Sequence, residues 1–296
     1  MDNKEFKENS SSVIRPSRLV ERFTSHAGGG NLDARDAMRN AVAKLRRRFR
    51  HTGGLDERMR FYLHARRIVS TRIVDDLGAD GALEPIGSRY VHGFNILLGR
   101  QLGHTRLRFT LAHEICHTFF YEFAPEIKFA PHATDETEEC LCNLGAAELL
   151  MPAMAVGRLA NHRPVCMQSL RELAEEFSVS FAAMFIRLRS LRLWDCVLSE
   201  WQRMTNGKFV LSRFYGGARR PWVWEDPSIL DDAWWSYRLS SGTTVFHYDA
   251  DNGGQYCAPL RFQAQRLGDR VFALWGSKLE NPSDRSPLFA KEPLNA

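Results

Sequence analysis

His113, Glu114 and His117 stand in the run RFTLAHEICHTFF as an H-E-x-x-H pattern. Each helical residue turns by ~100°, so His117 lies only ~40° round from His113 and one turn above it. Two imidazoles on one helical face can grip one metal ion. Glu114 sits on the shoulder of that face, where it reaches a water beside the ion more easily than the ion itself. The chemistry these residues could do is metal-assisted hydrolysis, with Glu114 as the general base.

A hydrolytic zinc site has three protein ligands and one open position, so a third ligand is required. A metzincin places another His six residues after the second one. That position holds Phe123, and Phe120 stands where the Gly of that pattern belongs, so this subclass is excluded. Downstream acids are Glu122, Glu126, Asp135, Glu136, Glu138, Glu139 and Glu148, with His132, Cys140 and Cys142 as softer options. A second helix is expected from about Asp135 to Met151, stopping at Pro152. On it Glu139, Asn143, Ala146 and Leu150 share one face, and Gly145-Ala146-Ala147 would let another helix approach closely. Glu139 is favoured on that ground, with Glu138 its nearest rival. Cys116 and Cys142 lie close enough to the motif for oxidation chemistry, but small buried hydrophobes are the better reading.

The elements that must position these side chains are legible in outline. Residues 1–30 mix Ser, charges and Gly28-Gly29-Gly30, and are expected to form a flexible arm. Helical spacing runs from Leu32 to Phe49, breaks at Gly53-Gly54 and resumes in ERMRFYLHAR. IVSTRIVD, LEPI and YVHGFNILLG then read as strands, predicting a small antiparallel sheet before the H-E-x-x-H helix.

Composition bounds the answer. The 296 residues suffice for about two domains, and 44% apolar residues allow a core in each. The net charge of +5 is spread along the chain. Its densest run, Arg46-Arg47-Arg48-Phe49-Arg50, fits a solvated helix end better than a nucleic-acid site. Six cysteines without a C-x-x-C pair, and a start lacking an apolar signal segment, suggest reduced thiols and a cytoplasmic location. LGAAELLMPAMAVGRLA is the most apolar later stretch, but it carries Glu148 and Arg158 and is short for a membrane span.

RFTLAHEICHTFF followed by ETEECLCNLGAAELLMP resembles the ImmA/IrrE family of metallopeptidases. The likeness rests on Arg108 to Glu114, then on Asn143, Ala146, Ala147, Leu149, Leu150, Met151 and Pro152, with GALEPI and FNILL in the expected places upstream. The resemblance puts the family's ligand Glu, four residues before the Asn, on Glu139. Leu141-Cys142-Asn143 replaces the commoner Glu-Ala-Asn and resembles the IrrE branch more than the ImmA branch.

Farther on, LRELAEEFSVSFAAMFIRLRSLRLW reads as helix, turn, helix. Its second helix offers Phe181, Met184, Phe185 and Ile186 where a DNA reader needs polar side chains, so a packing module is the better reading. Beyond Asp195, KFVLSRFY, TTVFHYD, QYCAPLRF and RVFALWG are strand-like, and Trp222, Trp224, Trp234 and Trp235 cluster. The resemblance implies a GAF-type sensor there.

The expected fold class is therefore α+β: a zincin-like peptidase domain at 31–160, a helix-turn-helix-like segment at 161–194, and an α+β domain at 195–296. The expected activity is that of a gluzincin-like endopeptidase holding zinc, or manganese in the cell, on His113, His117 and Glu139, with Glu114 catalytic. Candidate oxyanion donors are Tyr90, Tyr121, His132 and His162. The resemblance implies a helix-turn-helix repressor of the XRE type as substrate, cleaved to derepress stress-response or mobile-element genes. Two other readings stay open: a transcriptional regulator binding DNA through residues 168–192 with a non-catalytic metal, and a broad cytoplasmic peptidase.

Overall fold

Hydrophobic stripes on helices and alternation on strands divide the chain into two compact units, residues 1–150 and 151–296. The structure, a computed structural model, describes residues 18–27, 32–49, 54–87, 92–122, 135–216, 228–236, 239–249, 255–276 and 278–280. Gly28 to Gly30, Arg50, Gly53, Tyr90, Phe123, Pro125, Glu126, Pro131, His132, Trp222 and Trp224 lie outside the described residues.

The first unit is α+β. Helices α1 (Arg18–Ala27), α2 (Ala34–Arg48) and α3 (Leu55–Ala65) precede strands β1 (Ile68–Val74), β2 (Gly81–Pro85) and β3 (Phe94–Gly99). Helices α4 (His104–Glu122) and α5 (Glu136–Leu150) follow. Within the expected flexible arm over residues 1–30, the described part, residues 18–27, is instead helix α1. Leu19, Val20 and Phe23 fall on one stripe and are buried, and the Phe23 ring lies 4.8 Å from that of Phe120. Averaged composition hid a short amphipathic segment that a helix on the core can bury. Helix α2 starts where the Asp33 carboxylate accepts the Asp36 N–H. It ends in Arg46, Arg47 and Arg48, cations favoured at a helix C-terminus.

The sheet has the order β1-β3-β2, with β3 parallel to β1 and antiparallel to β2. It is mixed, which corrects the antiparallel expectation. The reason is burial: β3 carries Phe94, Ile96 and Leu98 inward and takes the centre, whereas the polar β1 is left at an edge. The chain must therefore pass from β1 to the far side of β3, where β2 forms the other edge.

Helix α4 packs on β2, β3 and α5. Its last turn is pinned by buried Arg66, which donates from Nε to Thr118 Oγ1 at 2.8 Å and from an Nη to Glu122 at 2.7 Å. The same guanidinium lies 4.1 Å over the Phe119 ring. A cation here also suits the C-terminal end of the helix dipole.

In the second unit α6 (Ala153–Ala160), α7 (Met167–Glu176) and α8 (Phe181–Ser190) lead into β4 (Val197–Arg203) and β5 (Phe209–Tyr215). Then come α9 (Ser228–Ser236), β6 (Ser240–Asp249), β7 (Gln255–Leu267) and β8 (Arg270–Gly276). The five strands form an antiparallel sheet of order β5-β4-β8-β7-β6. Helices α7 and α8 join through Ser178 at a φ of 52°, and the Ser180 hydroxyl caps α8. The expected boundary at residue 194 falls inside this unit, because the stripe of α7 and α8 has a partner in the sheet. The Met167 N–H donates to buried Gln263 at 2.6 Å, and the rings of Phe181 and Phe272 are 5.3 Å apart. Trp201 and Trp275 both donate from Nε1 to the buried Ser199 hydroxyl. Trp234 packs partly buried against the core and Trp235 is exposed, so this aromatic group is divided between core and surface. No single helix among the described residues is long and apolar enough to cross a membrane.

Candidate active site

Helix α4 presents His113 and His117 one turn apart, as 3.6-residue geometry requires, with their Nε2 atoms 3.1 Å apart. Helix α5 lies against them. A Cβ added at Gly145 would stand 2.6 Å from Cys116 Sγ and 3.0 Å from Met38 Sδ, closer than side chains tolerate. Only glycine permits this approach of α5 to α4. The first turn of α5 holds Glu136, Glu138 and Glu139, acids favoured by the dipole at a helix N-terminus. Asp135 begins it by accepting the Thr137 N–H. An acidic turn thus lies beside the imidazole pair.

Each imidazole is fixed by its outer nitrogen. His113 Nδ1 meets Asn143 Oδ1 at 3.1 Å, and His117 Nδ1 meets Glu138 Oε1 at 2.7 Å. In the chain alone Nε2 faces the Glu139 carboxylate as a donor; with an ion bound, the proton on Nδ1, donated to these oxygens, would leave both Nε2 lone pairs to the ion. Glu139 closes the triangle, with carboxylate oxygens 3.1 Å from His113 Nε2 and 3.5 Å from His117 Nε2. A tetrahedral ion with bonds of about 2.0–2.2 Å needs ligand atoms about 3.3 Å apart. The three observed separations bracket that value, so the donor set fits a divalent transition ion. Cys142 Sγ belongs to the same neighbourhood, within 4.8 Å of a ring nitrogen of each His.

The electrostatics agree with a cluster built to hold positive charge. Hydrogen bonds from His113 and His117 hold the Glu139 carboxyl far below the usual carboxylate range. Burial works against a charged His117, yet Cys142, Glu138 and Glu139 carry its pKa well above the ordinary histidine value. Glu114 is 6% exposed, and burial raises its pKa against the pull of both histidines. A carboxyl so poised is a better proton acceptor than a solvated one.

Glu114 lines a cleft of about 1340 Å³ whose floor is α4 and whose wall is β2. A Cβ at Gly81 would lie 2.8 Å from Glu114 Oε1 and 2.5 Å from Thr110 Cγ2, so glycine there lets the strand pass over the carboxyl. Among the described residues β2 is an edge strand, and such an edge can pair with another extended chain. Asp80 and Arg106 pair at the rim.

Of the other described candidates, all but Tyr121 fall elsewhere. Glu122 takes Arg66, Asp135 begins α5, Glu136 and Cys140 are exposed, and Glu148 lies near the far end of α5. Tyr121 lines the cleft, and burial together with Glu138 raises its phenol so that it keeps its proton. His162 is in the second unit. Cys116 is fully buried beneath Gly145, the packing role expected of it. Sequence reasoning missed Glu138 and Asn143 as partners of the outer nitrogens. The signal was present in the α5 register, where residues 138, 139 and 143 all reach the α4 face.

Comparison with known proteins gives three findings. Residues 80–189 match the peptidase M78 family, described as the IrrE N-terminal-like domain. The radiation response metalloprotease IrrE of Deinococcus deserti is 35% identical over 106 residues, or 34% of this chain and 36% of that one. The chain thus matches little more than a third of the length of that curated relative, at 36%. A solved Mycobacterium tuberculosis transcriptional regulator aligns at 14% identity with a TM-score of 0.43, over 88% of this chain and 81% of that one, a likeness too loose to carry an argument.

Proposed function

Through its IrrE N-terminal-like domain at residues 80–189 the chain is a member of the ImmA/IrrE family, and from that premise we propose that it is a zinc-dependent, site-specific endopeptidase of the gluzincin type. Its substrate is a helix-turn-helix repressor of the XRE type, and its cleavage derepresses stress-response or mobile-element genes. The stress link takes support from the Deinococcus deserti relative, named for a radiation response.

The observation that carries this reading is the triangle of the two Nε2 atoms and the Glu139 carboxylate at 3.1, 3.1 and 3.5 Å. His113, His117 and Glu139 would hold the ion, with zinc as the first choice and manganese as the alternative. A divalent ion there supplies Lewis acidity, polarising the scissile carbonyl and acidifying water. Glu114 takes the proton of the attacking water and later delivers it to the leaving amine. Glu138 and Asn143 keep the two imidazoles in the tautomer that bares Nε2. Tyr121, protonated and in the cleft, is the described candidate best placed to donate to the oxyanion. The free edge of β2 suits an extended peptide laid along the cleft, which points to cleavage within a chain rather than at its end.

DNA binding through residues 168–192 has less support. Phe181, Met184, Phe185 and Leu188 of α8 are buried, Arg187 donates to the Met151 carbonyl, and Ile186 and Ser190 are the exposed positions. With Ile186 apolar, only Ser190 and half-exposed Arg189 are left on α8 for base edges, a small set for a reading helix. The second unit is read as the sensor, of GAF type on the resemblance, acting from the cytoplasm.

The test is digestion of the cognate repressor, sought as a small helix-turn-helix reading frame beside this one. Zinc-loaded protein should cut it once and leave unstructured casein intact, and Glu114→Gln should fold, bind metal and not cut. Equal cleavage by that variant overturns the mechanism, and casein digestion returns the reading to a broad peptidase.

A further inference from the structure

We propose that Cys142 is a further donor to the metal centre, a thiolate ligand that biases the site toward zinc and away from manganese. The inference rests on the metal centre proposed above and concerns a residue outside its three-ligand set.

The argument starts from position. Cys142 Sγ and a ring nitrogen of each of His113 and His117 all lie within 4.8 Å of one another. Cys142 follows Glu139 by three residues on α5, so both face α4. In a tetrahedral centre with Zn–S about 2.3 Å and Zn–N about 2.0–2.1 Å, sulfur and nitrogen stand about 3.6 Å apart. Measured to those ring nitrogens the closure is at most roughly 1.2 Å, and a change of χ1 rotamer, which moves a cysteine sulfur by about 3 Å, supplies the reach toward the ion.

The surroundings distinguish this thiol from a packing cysteine. Cys116 is equally buried but sits under Gly145 beside the Met38 thioether. Cys116 too lies within reach of the His117 charge, but fully buried Cys142 shares a side-chain hydrogen bond with His117 and is the thiol grouped with both imidazoles. A small hydrophobe gains nothing from such neighbours, and a ligand does. A free cysteine carries its proton near neutral pH. On loading, the S–H bond breaks, the sulfur lone pair goes to the ion and the proton leaves to solvent. With Cys142 bound, the two histidines and Glu139 complete four protein donors, so this is a resting form whose thiolate must yield a position to substrate. Thiolate is soft and suits zinc, whereas carboxylate and water suit manganese, so the added donor widens the preference for zinc.

The test uses the full-length chain, stripped of metal and reloaded with cobalt(II). Wild type should show a near-ultraviolet sulfur-to-cobalt charge-transfer band together with visible ligand-field bands. Cys142→Ser and Cys142→Ala should lose the first and keep the second, and Cys116→Ser should keep both. In competition titrations, the preference for zinc over manganese should fall by about tenfold or more in Cys142→Ser. Visible bands without a charge-transfer band in wild type, or a band that survives in both Cys142 variants, overturn the proposal and leave the three-ligand centre standing. Failure of wild type to take up cobalt or zinc at all overturns the centre itself, and this proposal with it.

Discussion

At the residue scale, two neighbouring carboxylates of one helical turn do different work because they meet different nitrogens. Glu139 faces both Nε2 atoms, whereas Glu138 holds His117 by Nδ1 at 2.7 Å. Glu138→Gln keeps an acceptor but loses its charge, so metal affinity should fall about 10–100-fold with the fold intact. A chelator-competition titration with circular dichroism reads both, and unchanged affinity would remove Glu138 from the site. Glu114 offers a pH test on the metal-free chain. Its folded pKa is raised above the unfolded value by burial, so its contribution to stability is present below the unfolded pKa and is lost as pH rises through the folded one. Urea unfolding should therefore show Glu114→Gln gaining on wild type as pH rises from acid to neutral. A constant difference across that range would contradict the raised pKa.

The element scale is governed by how closely α5 approaches α4. At Gly145, alanine would gain about 1 kcal/mol of helix propensity over glycine. Its Cβ would nevertheless meet Cys116 Sγ at 2.6 Å and Met38 Sδ at 3.0 Å, both on buried side chains. Overpacking of this kind costs about 1–3 kcal/mol, so sterics should win. Gly145→Val is expected to lower the thermal midpoint and weaken metal binding together, because α5 carries Glu139 away from the imidazoles as it yields. Thermal melts and metal titrations of the same samples check this, and a stable variant with normal affinity would place the close approach elsewhere. The role of Gly145-Ala146-Ala147 was legible as a small-residue face. The sheet order β1-β3-β2 was not, since alternation marks each strand's inward side and says nothing about which strand lies between which.

For the whole molecule, His113, His117, Glu138, Glu139 and Cys142 all lie in the first of two compact units. Metal binding should then stabilise that unit by linkage, about 2.7 kcal/mol when free ion stands at a hundred times its dissociation constant. For a unit of that size this is a rise of roughly 5–10 °C in its melting transition, reversed by chelator. Calorimetry with and without zinc checks it, and an unshifted first-unit transition would count against a preformed site. The second unit shows the limits of composition in the opposite direction. Of its clustered tryptophans, Trp234 is half-buried against the core and Trp235 is exposed, whereas half-buried Trp201 and buried Trp275, outside that cluster, satisfy their N–H groups on the buried Ser199 hydroxyl.

The sequence by itself determined the helical register that pairs His113 with His117, the shoulder position of Glu114 and the arrival of an acidic helix turn downstream. These follow from the 3.6-residue repeat, a local property that the order of residues specifies. Tertiary structure decided which carboxylate meets which nitrogen, that Gly81 passes over Glu114 and that Cys142 faces the imidazoles. Those depend on the separation and rotation of two packed helices and a strand, which non-local close packing sets to within an ångström.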